Sequence, residues 1–466
     1  MARTAKKENT LTLEERLNQA LVPEAEQPYQ VPENWCWVYL CGLLQEITNG
    51  TTIKQDKSGN GYAVTRIESL QNQTIDFNRL GTIVNQNEIK KTDWYIAGDI
   101  VLSHINSAEH VGKTALITDR MLPLIHGMNL LRLRFFDSFL PLLFQYYTQS
   151  FQYHEAILAR INMAVNQVSI NQKQIGSIEF PLPPLSEQKR IVERIESLFA
   201  KLNEAKEKAQ AVVGGFEDRK AAILHKAFMG KLTKEWRKKN GLSKEDWKSV
   251  LLADVCIINP AKTNLKDLPD NLEVSFFPMA SLSETYGMIT EPQIRKLCEV
   301  RNGFTNFSEG DVVFAKITPC MENGKSAVIG QLVNNIGFGT TEFYVLRCGE
   351  KLHNKFLWHL IRDRSFRSKA KAVMSGAVGQ QRVPKNFLEN YSLLLPIIDE
   401  QIEIVRILDN LFVKEQQAKE TAEKVIEQIE MIKKSILARA FHGELGTNDP
   451  TDESAVEILK KWKTEQ

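Results

Sequence analysis

The sequence lacks the features that mark membrane proteins, secreted proteins and disulfide-bonded proteins. No apolar run in its 466 residues approaches the ~20 residues needed to cross a bilayer. The N-terminus, MARTAKKENTLTLEERL, has no apolar core of the kind found in signal peptides. Only six cysteines occur, and no two of them form a C-x-x-C pair. We therefore expect a cytoplasmic protein whose cysteines are incidental, reduced thiols.

An excess of one charge sign is also missing. The chain has 59 basic and 57 acidic residues, a formal net charge of +2. If the protein binds nucleic acid, its positive charge must therefore be local. Two runs, Lys231–Lys239 and Lys351–Ala372, are strongly basic. A solvated face is the usual meaning of such runs, but two of them in a nearly neutral protein are consistent with contacts to a phosphate backbone.

Catalytic motifs are equally scarce. The tripeptides GKT at 112–114 and GKS at 324–326 resemble the end of a phosphate-binding loop, but the glycine required five residues earlier is Ser107 in one and Pro319 in the other. No G-x-G-x-x-G opens a helix, and the eight histidines are scattered. We therefore predict that this chain has no catalytic residues and binds neither a metal nor a cofactor.

What the sequence does contain is an internal duplication. At an offset of 213, residues 183–232 match 396–445 with 21 identities in 50 positions, where ordinary composition gives about three. Upstream, GDIVLSHINSAEHVGKTALI (98–117) matches GDVVFAKITPCMENGKSAVI (310–329), and Trp35 falls on Trp247. The repeated unit is a diverged module followed by a better preserved helix. We infer that the helices share one task and that the modules contact different ligands.

Both helices carry apolar residues at alternating steps of three and four, which is the pattern of a coiled coil. Each is roughly 40 residues long, or about 60 Å. We favour an intramolecular antiparallel coiled coil over two helices that each pack only on their own module. Gly214-Gly215 predicts a local break in the first helix. The positions predicted to form the seam or to dock partners are Ile191, Ile195, Leu198, Leu202, Phe216, Ile223, Ile404, Leu408, Leu411, Val425, Ile429 and Ile436.

The pattern of each module predicts short strands separated by turns and followed by a helix. The predicted helix is Ser138–Ala159 in the first module and Lys351–Val373 in the second. This pattern predicts α+β modules. Small polar loops such as TNGTTIK (48–54) allow close backbone approach to a ligand, and Gln, Asn and Arg side chains can pair with base edges. An ordinary hairpin loop is the alternative for the first of these segments, and a plain polar loop is the alternative for the Gln, Asn and Arg positions. The candidates for DNA contact are Asn49, Gly50, Thr51, Lys54, Lys113, Asn166, Gln167, Lys316, Lys325, Gln380, Gln381 and Arg382.

The strand-to-helix junction occurs twice, as PLPPLSEQ ending at Gln188 and as LPIIDEQ ending at Gln401. The segment SILARAFHGEL ends the second helix, and Pro32-Glu33-x-Trp35 precedes the first module. On these motifs the chain resembles the specificity subunit of type I restriction–modification systems over roughly residues 20–446. Ile397-Ile398, where that family more typically has Pro-Leu, is a minor departure.

The resemblance implies an α+β fold in which two globular target recognition domains are joined by two long antiparallel coiled-coil helices, with an internal pseudo-two-fold repeat. It divides the chain into an N-terminal extension (1–30), a first recognition domain (31–182), a central conserved helix (183–235), a second recognition domain (243–395), a distal conserved helix (396–446) and an acidic C-terminal tail (447–466).

The resemblance also implies a non-catalytic DNA-binding role. Each domain would read one half of a bipartite, asymmetric site in double-stranded DNA, and the helices would set the gap and dock two methyltransferase (modification) subunits. Motor–endonuclease (restriction) subunits would join the complex. S-adenosylmethionine, ATP and Mg²⁺ would be bound by those partners and not by this chain. The alternative left open is a non-catalytic coiled-coil adaptor that links two protein-binding modules.

Overall fold

The structure is a computed structural model that describes residues 12–56, 60–164, 167–262, 264–284, 287–377 and 379–464. It divides into two compact units. Unit 1 is formed by the chain up to Lys208 and from Val425 onward, and unit 2 by Ala209–Lys424. Each unit contains one module, and both long helices contribute to both units. No helix within the described residues is long and apolar enough to cross a membrane.

The two modules share one antiparallel four-stranded sheet. In unit 1 its order is Leu44–Asn49, Leu130–Phe135, Ile100–Ser103 and Thr114–Leu116. In unit 2 it is Cys256–Ile258, Phe343–Cys348, Val312–Ala315 and Ser326–Val328. The matched GD-containing segments seen in the sequence form the third and fourth strands of both sheets, so the duplication extends to strand order.

A second shared feature is a two-stranded ladder that leads into each long helix. Cys36–Tyr39 pairs with Glu179–Leu182 in unit 1, and Lys248–Leu251 pairs with Ser392–Leu395 in unit 2. The later strand of each ladder ends directly before a proline of the repeated junction, Pro183 in unit 1 and Pro396 in unit 2. The long helix then begins at Leu185 in one unit and at Ile398 in the other.

The single helix predicted in each module is two helices in the structure. Ser138–Ala159 resolves into Leu140–Tyr147 and Phe151–Leu158, and Lys351–Val373 into Asn354–Arg362 and Arg364–Ala372. The breaks occur at Ser150 and Asp363, whose side chains accept hydrogen bonds from the backbone of the following helix. Serine and aspartate are both preferred at helix N-caps. Each therefore starts a new helix, although the apolar pattern continues across it.

The modules differ most in the strands that lie outside the shared sheet. Unit 1 has two small ladders there, Tyr62–Val64 with Gly81–Ile83 and Leu70–Gln71 with Thr74–Ile75. Unit 2 has a four-stranded mixed sheet in the order Gln293–Lys296, Glu273–Phe277, Gly337–Gly339 and Thr305–Phe307. Two modules with one frame therefore present different surfaces.

The long helices run antiparallel to each other in each unit, as the seam predicts. In unit 1, Lys206 Nζ lies 2.6 Å from Glu430 Oε1, and Lys433 Nζ lies 2.6 Å from Asn203 Oδ1. In unit 2, Arg219 Nε lies 2.7 Å from Glu415 Oε2. The first helix ends at Gly214 and resumes as Phe216–Phe228, whereas Ile398–Phe441 is continuous over 44 residues.

The break predicted at Gly214-Gly215 is confirmed, and Arg219 explains its geometry. The Arg219 guanidinium donates to the carbonyl of Val212 at 2.7 Å. A Cβ on Gly215 would lie 2.6 Å from Arg219 Nη1, whereas a Cβ on Gly214 would meet nothing within 4 Å. Gly215 therefore makes room for the side chain that occupies the gap.

The ends of the long helices also belong to the module cores. Ile191, Ile195 and Phe441 are buried in the main core of unit 1, and Ile404 and Leu408 in that of unit 2. The favoured coiled-coil interpretation is thus confirmed, with packing on the modules added at the helix ends. The helices pair with each other, and their terminal turns pack on the modules.

A buried glutamate explains why Glu-Gln is repeated at the junctions. Glu187 accepts hydrogen bonds from Trp35 Nε1 at 2.7 Å, Asn448 Nδ2 at 2.8 Å and Thr447 Oγ1 at 3.1 Å. The adjacent Gln188 donates to the carbonyl of Pro183 at 3.0 Å. The motif therefore joins the start of the helix to the entry of the module.

In unit 2 the same position has an ionic partner. Glu400 accepts from Trp247 Nε1 at 2.9 Å and from Thr233 Oγ1 at 2.6 Å, and it forms a salt bridge with Arg237, which is 5% exposed. Gln401 donates to the carbonyl of Pro396 at 2.8 Å. The repeated motif is thus a structural junction. Its buried carboxylate accepts hydrogen bonds from neutral donors in both units and forms a salt bridge in unit 2.

The C-terminal segment is folded onto unit 1. The helix Ala455–Thr464 packs beside Leu13–Ala20 in the core of that unit, and Arg190 forms a salt bridge with Asp452. The remaining short helices are Gln172–Gly176, Lys234–Lys239, Leu252–Val255, Leu297–Val300 and Lys385–Glu389. The remaining strands, Ile105–Asn106, Asn162–Ala164 and Gln167–Ser169, form a small sheet in unit 1.

Candidate functional site

The glycine of the 48–54 loop is required by the protein's own backbone. Asn49 ends the first sheet strand and is exposed, and Gly50 follows it directly. A Cβ at Gly50 would lie 1.8 Å from the carbonyl oxygen of Gly127, and Thr51 N donates to His126 O at 2.9 Å. The close backbone approach inferred for this glycine is therefore made within the module, and it positions the residues that follow.

Those following residues line a polar cleft of about 610 Å³ in unit 1. Lys54 and Lys113 both lie on it and are exposed, so the structure brings two predicted DNA contacts together. Sequence reasoning missed Arg66 on the same cleft. The Arg66 guanidinium is held 2.8 Å from Glu68 Oε1 and 3.4 Å from Gln55 Oε1. A lone arginine in a loop has no local pattern that would have singled it out.

Gln167 begins the central strand of a small three-stranded sheet at the edge of the same region. The strands Asn162–Ala164 and Gln167–Ser169 pair with each other, and the second pairs with Ile105–Asn106. Asn106 lines the cleft, and Gln167 is exposed. Asn166 lies outside the described residues.

The GKT and GKS segments are tight turns, as their incomplete motif indicated. Gly112 and Gly324 have φ of +79° and +76°, a region in which glycine is strongly preferred. Lys113 is exposed after its turn, but only 15% of the Lys325 side chain is exposed. Lys325 Nζ lies 3.7 Å from Glu284 Oε1 and 3.4 Å from the carbonyl of Met279. Lys325 is thus engaged within unit 2.

The other unit 2 candidates form one cluster. Arg382 makes a two-pronged salt bridge with Glu342, through Nε at 2.9 Å and Nη2 at 2.8 Å. The hydrogen bond from Arg382 holds the pKa of Glu342 below its usual value. Thr318 N donates to the carbonyl of Gln381 at 3.0 Å, and Gln381 N donates to Thr318 Oγ1 at 3.1 Å. Lys316 Nζ lies 5.5 Å from the centroid of the Tyr344 ring. Gln380, beside them, is exposed.

The two basic runs are used partly inside the protein. Arg237, in the first run, is the buried partner of Glu400 and is not available to a phosphate. In the second run, Arg362 donates to the carbonyls of Gly324 and Glu284, each at 3.1 Å. A count of charges along the sequence could not distinguish these arginines from the exposed ones.

The seam positions remain candidates for partner docking. Ile191, Ile195, Phe216, Ile404, Leu408 and Ile429 are buried, and Leu198, Leu202, Ile223, Leu411, Val425 and Ile436 are partly buried. In the ranges that the structure describes, no group of three or more His, Cys, Asp or Glu residues could hold a metal ion, and the six cysteines are free thiols.

One protein-family model matches both modules. The family model "Type I restriction modification DNA specificity domain" matches residues 32–212 and 244–429. Each match covers one module and part of the helix that follows it. The duplication detected within the sequence is therefore a duplication of one family domain.

Individual relatives are of the same kind. The chain is 32% identical over 264 residues to the type I restriction enzyme EcoEI specificity subunit of Escherichia coli, covering 48% of this chain and 44% of that protein. It is 36% identical over 220 residues to the putative MjaX specificity subunit of Methanocaldococcus jannaschii, covering 44% and 52%. In these two alignments the chain spans about half the length of the relative. Against the EcoKI specificity subunit of E. coli, 23% identity extends over 94% of this chain and 96% of that protein.

A solved structure shares the fold. The HsdS subunit of Thermoanaerobacter tengcongensis superimposes with a TM-score of 0.60 at 18% sequence identity, covering 90% of this chain and all of that one. With two family domains, the repeated helix junction and this fold, the chain belongs to the type I restriction–modification DNA specificity family.

Proposed function

We propose that this protein is the DNA sequence-specificity subunit of a type I restriction–modification complex and is itself non-catalytic. Each module reads one half of a bipartite, asymmetric site in double-stranded DNA. The proposal rests on one observation: both modules contain the same four-stranded sheet, and each adds a different set of strands to it. Such a chain offers equivalent surfaces to a repeated partner and different surfaces to two half-sites.

The proposed division of labour follows from where the two units agree. The helices and the Glu-Gln junctions are alike in both units, so they serve a task performed twice, namely docking two modification subunits. The added strands and the loops differ, so they serve recognition. The helix pair sets the gap between half-sites at about one turn of DNA, ~34 Å. Restriction subunits complete the assembly, and the partners bind S-adenosylmethionine, ATP and Mg²⁺.

The direct test is to co-express the chain with the methyltransferase subunit encoded beside it and to map methylated bases in the host genome. The expected result is one two-part asymmetric motif with a fixed gap, methylated once on each strand. A stable complex that adds no methylation and shows no salt-dependent DNA binding would instead support the adaptor alternative.

Replacing Gln380, Gln381 and Arg382 with alanine is expected to relax one half-site and to leave the other unchanged. A lost side-chain pairing with a base typically costs about 1–3 kcal/mol of discrimination. The same motif mapping measures this effect. Glu342→Gln is the matched control, because it weakens the Arg382 salt bridge without removing any of the three side chains. If both half-sites relax, or if assembly is lost, these residues have a structural role.

A further inference from the structure

A cleft of about 700 Å³ lies in unit 2, where the helix pair meets the module helices Asn354–Arg362 and Arg364–Ala372. Phe216 and Phe412 of the helix pair and Trp358 of the module supply aromatic surface. Five Lys or Arg and four Asp or Glu also line the cleft, a formal sum of +1. The cleft therefore combines aromatic surface with charges of both signs.

Two of the cations sit against the aromatic surface. Lys220 Nζ lies 5.2 Å from the centroid of the Phe216 ring and 5.8 Å from that of Phe412. The Arg362 guanidinium lies 5.2 Å from the Trp358 ring. Arg367 donates to the carbonyl of Glu322 at 2.6 Å, while its Nε is buried without a hydrogen-bond partner.

Burial and mutual repulsion make these cations favourable neighbours for an anion. The pKa of Arg362 is lowered to about 10, mainly by burial and also by repulsion from Arg367. The pKa of Arg367 is also lowered, mainly by burial and then by repulsion from Arg364. A carboxylate placed among them would favour their charged forms.

The helix side of this cleft recurs in unit 1 at positions 213 residues away. Lys433 Nζ lies 5.4 Å from the centroid of the Phe199 ring, and at the equivalent positions Lys220 Nζ lies 5.8 Å from that of Phe412. Tyr146 donates to Glu196 at 3.4 Å, and at the equivalent positions His359 Nε2 lies 3.3 Å from Asp409 Oδ1. The two units therefore share these two contacts of the helix pair.

The module side does not recur. The cleft residues Lys355, Arg362, Arg364 and Arg367 have Leu142, Gln149, Phe151 and His154 as their counterparts at the same offset. The helices that carry them correspond, because Phe151–Leu158 and Arg364–Ala372 begin 213 residues apart. The additional positive charge is thus a property of unit 2.

We propose that the unit 2 cleft docks an acidic helical segment of the modification subunit, so that one of two bound copies is held by charge and the other is not. The inference rests on the proposed function. A helix with carboxylates beside apolar side chains at spacings of three and four would place its acids on the cations and its apolar side on the aromatic rings. A DNA backbone fits less well, because its phosphates would not bind the aromatic surface of Phe216, Phe412 and Trp358.

The test uses the full chain and the methyltransferase subunit encoded beside it. Native mass spectrometry counts bound copies, and titration measures the affinity of each binding step at salt from about 0.05 to 0.5 M. We expect two binding steps, of which one weakens steeply as salt rises. Arg364→Glu and Val413→Glu should weaken that step at least tenfold and leave the other unchanged. Both positions line the cleft and are more than half exposed, at 56% each, so core packing is retained.

Ile257→Glu is the matched control, since Ile257 is 61% exposed in the same unit but lies outside the cleft. The proposal is overturned if both cleft variants retain two copies at wild-type affinity at every salt concentration. It is also overturned if they alter only DNA retention, or only self-association of the chain. If the wild-type chain binds no methyltransferase under any condition, the proposed function itself fails, which is a distinct result.

Discussion

Glu400→Gln is expected to destabilise unit 2 by about 3–5 kcal/mol, because removing one partner of a buried ion pair leaves the other charge uncompensated. Arg237, its partner, is 5% exposed and cannot turn to solvent without unpacking. A loss of this size lowers the midpoint of thermal unfolding by on the order of 10 °C for a domain of this size. Circular dichroism or calorimetry would measure the shift.

Glu187→Gln is the matched variant in the other copy of the motif. The donors to Glu187 are the neutral groups of Trp35, Thr447 and Asn448. Glutamine retains one acceptor oxygen there, so the expected cost is about 1–2 kcal/mol, which is typical of one unsatisfied buried group. Equal shifts for the two variants would show that the salt bridge in unit 2 contributes nothing beyond its hydrogen bonds.

Deleting one heptad from each long helix is expected to shorten the DNA gap by about three base pairs and to leave both half-sites unchanged. Seven helical residues span about 10.5 Å, and one DNA turn of ~34 Å contains about ten base pairs. Residues 207–213 and 422–428 are suitable, because their removal retains the pairs Lys206–Glu430 and Arg219–Glu415. A deletion of seven residues preserves the apolar repeat.

Genome-wide mapping of methylated bases reads out the gap directly. Deleting 207–213 alone is the control, since a one-sided deletion puts the two helices out of register and should abolish methylation. Altered half-sites in the double deletion would contradict the assignment of recognition to the modules.

Features that repeat or that depend on local chemistry were predictable from the sequence. The duplication, the long helices and their antiparallel pairing, and the break at Gly214-Gly215 follow from periodicity and from glycine at the break. The GKT and GKS turns were separable from a phosphate-binding loop because a required glycine is missing. These signals are contained in residues that lie close together along the chain or recur at one offset.

Other features were decided by contacts between distant segments. Gly50 is needed because Gly127, far along the chain, runs against it. Arg237 looked like one cation among five and is buried because Glu400 meets it. The continuous apolar pattern of each module helix concealed caps at Ser150 and Asp363.

The sequence by itself therefore determined the family, the two-copy plan and the positions of the helices. Tertiary structure alone decided which charges remain available, which glycines serve the backbone, and which cations line the cleft of unit 2. The physical reason is that burial and ion pairing depend on which residues meet in space, and a local pattern encodes the element but not its neighbours.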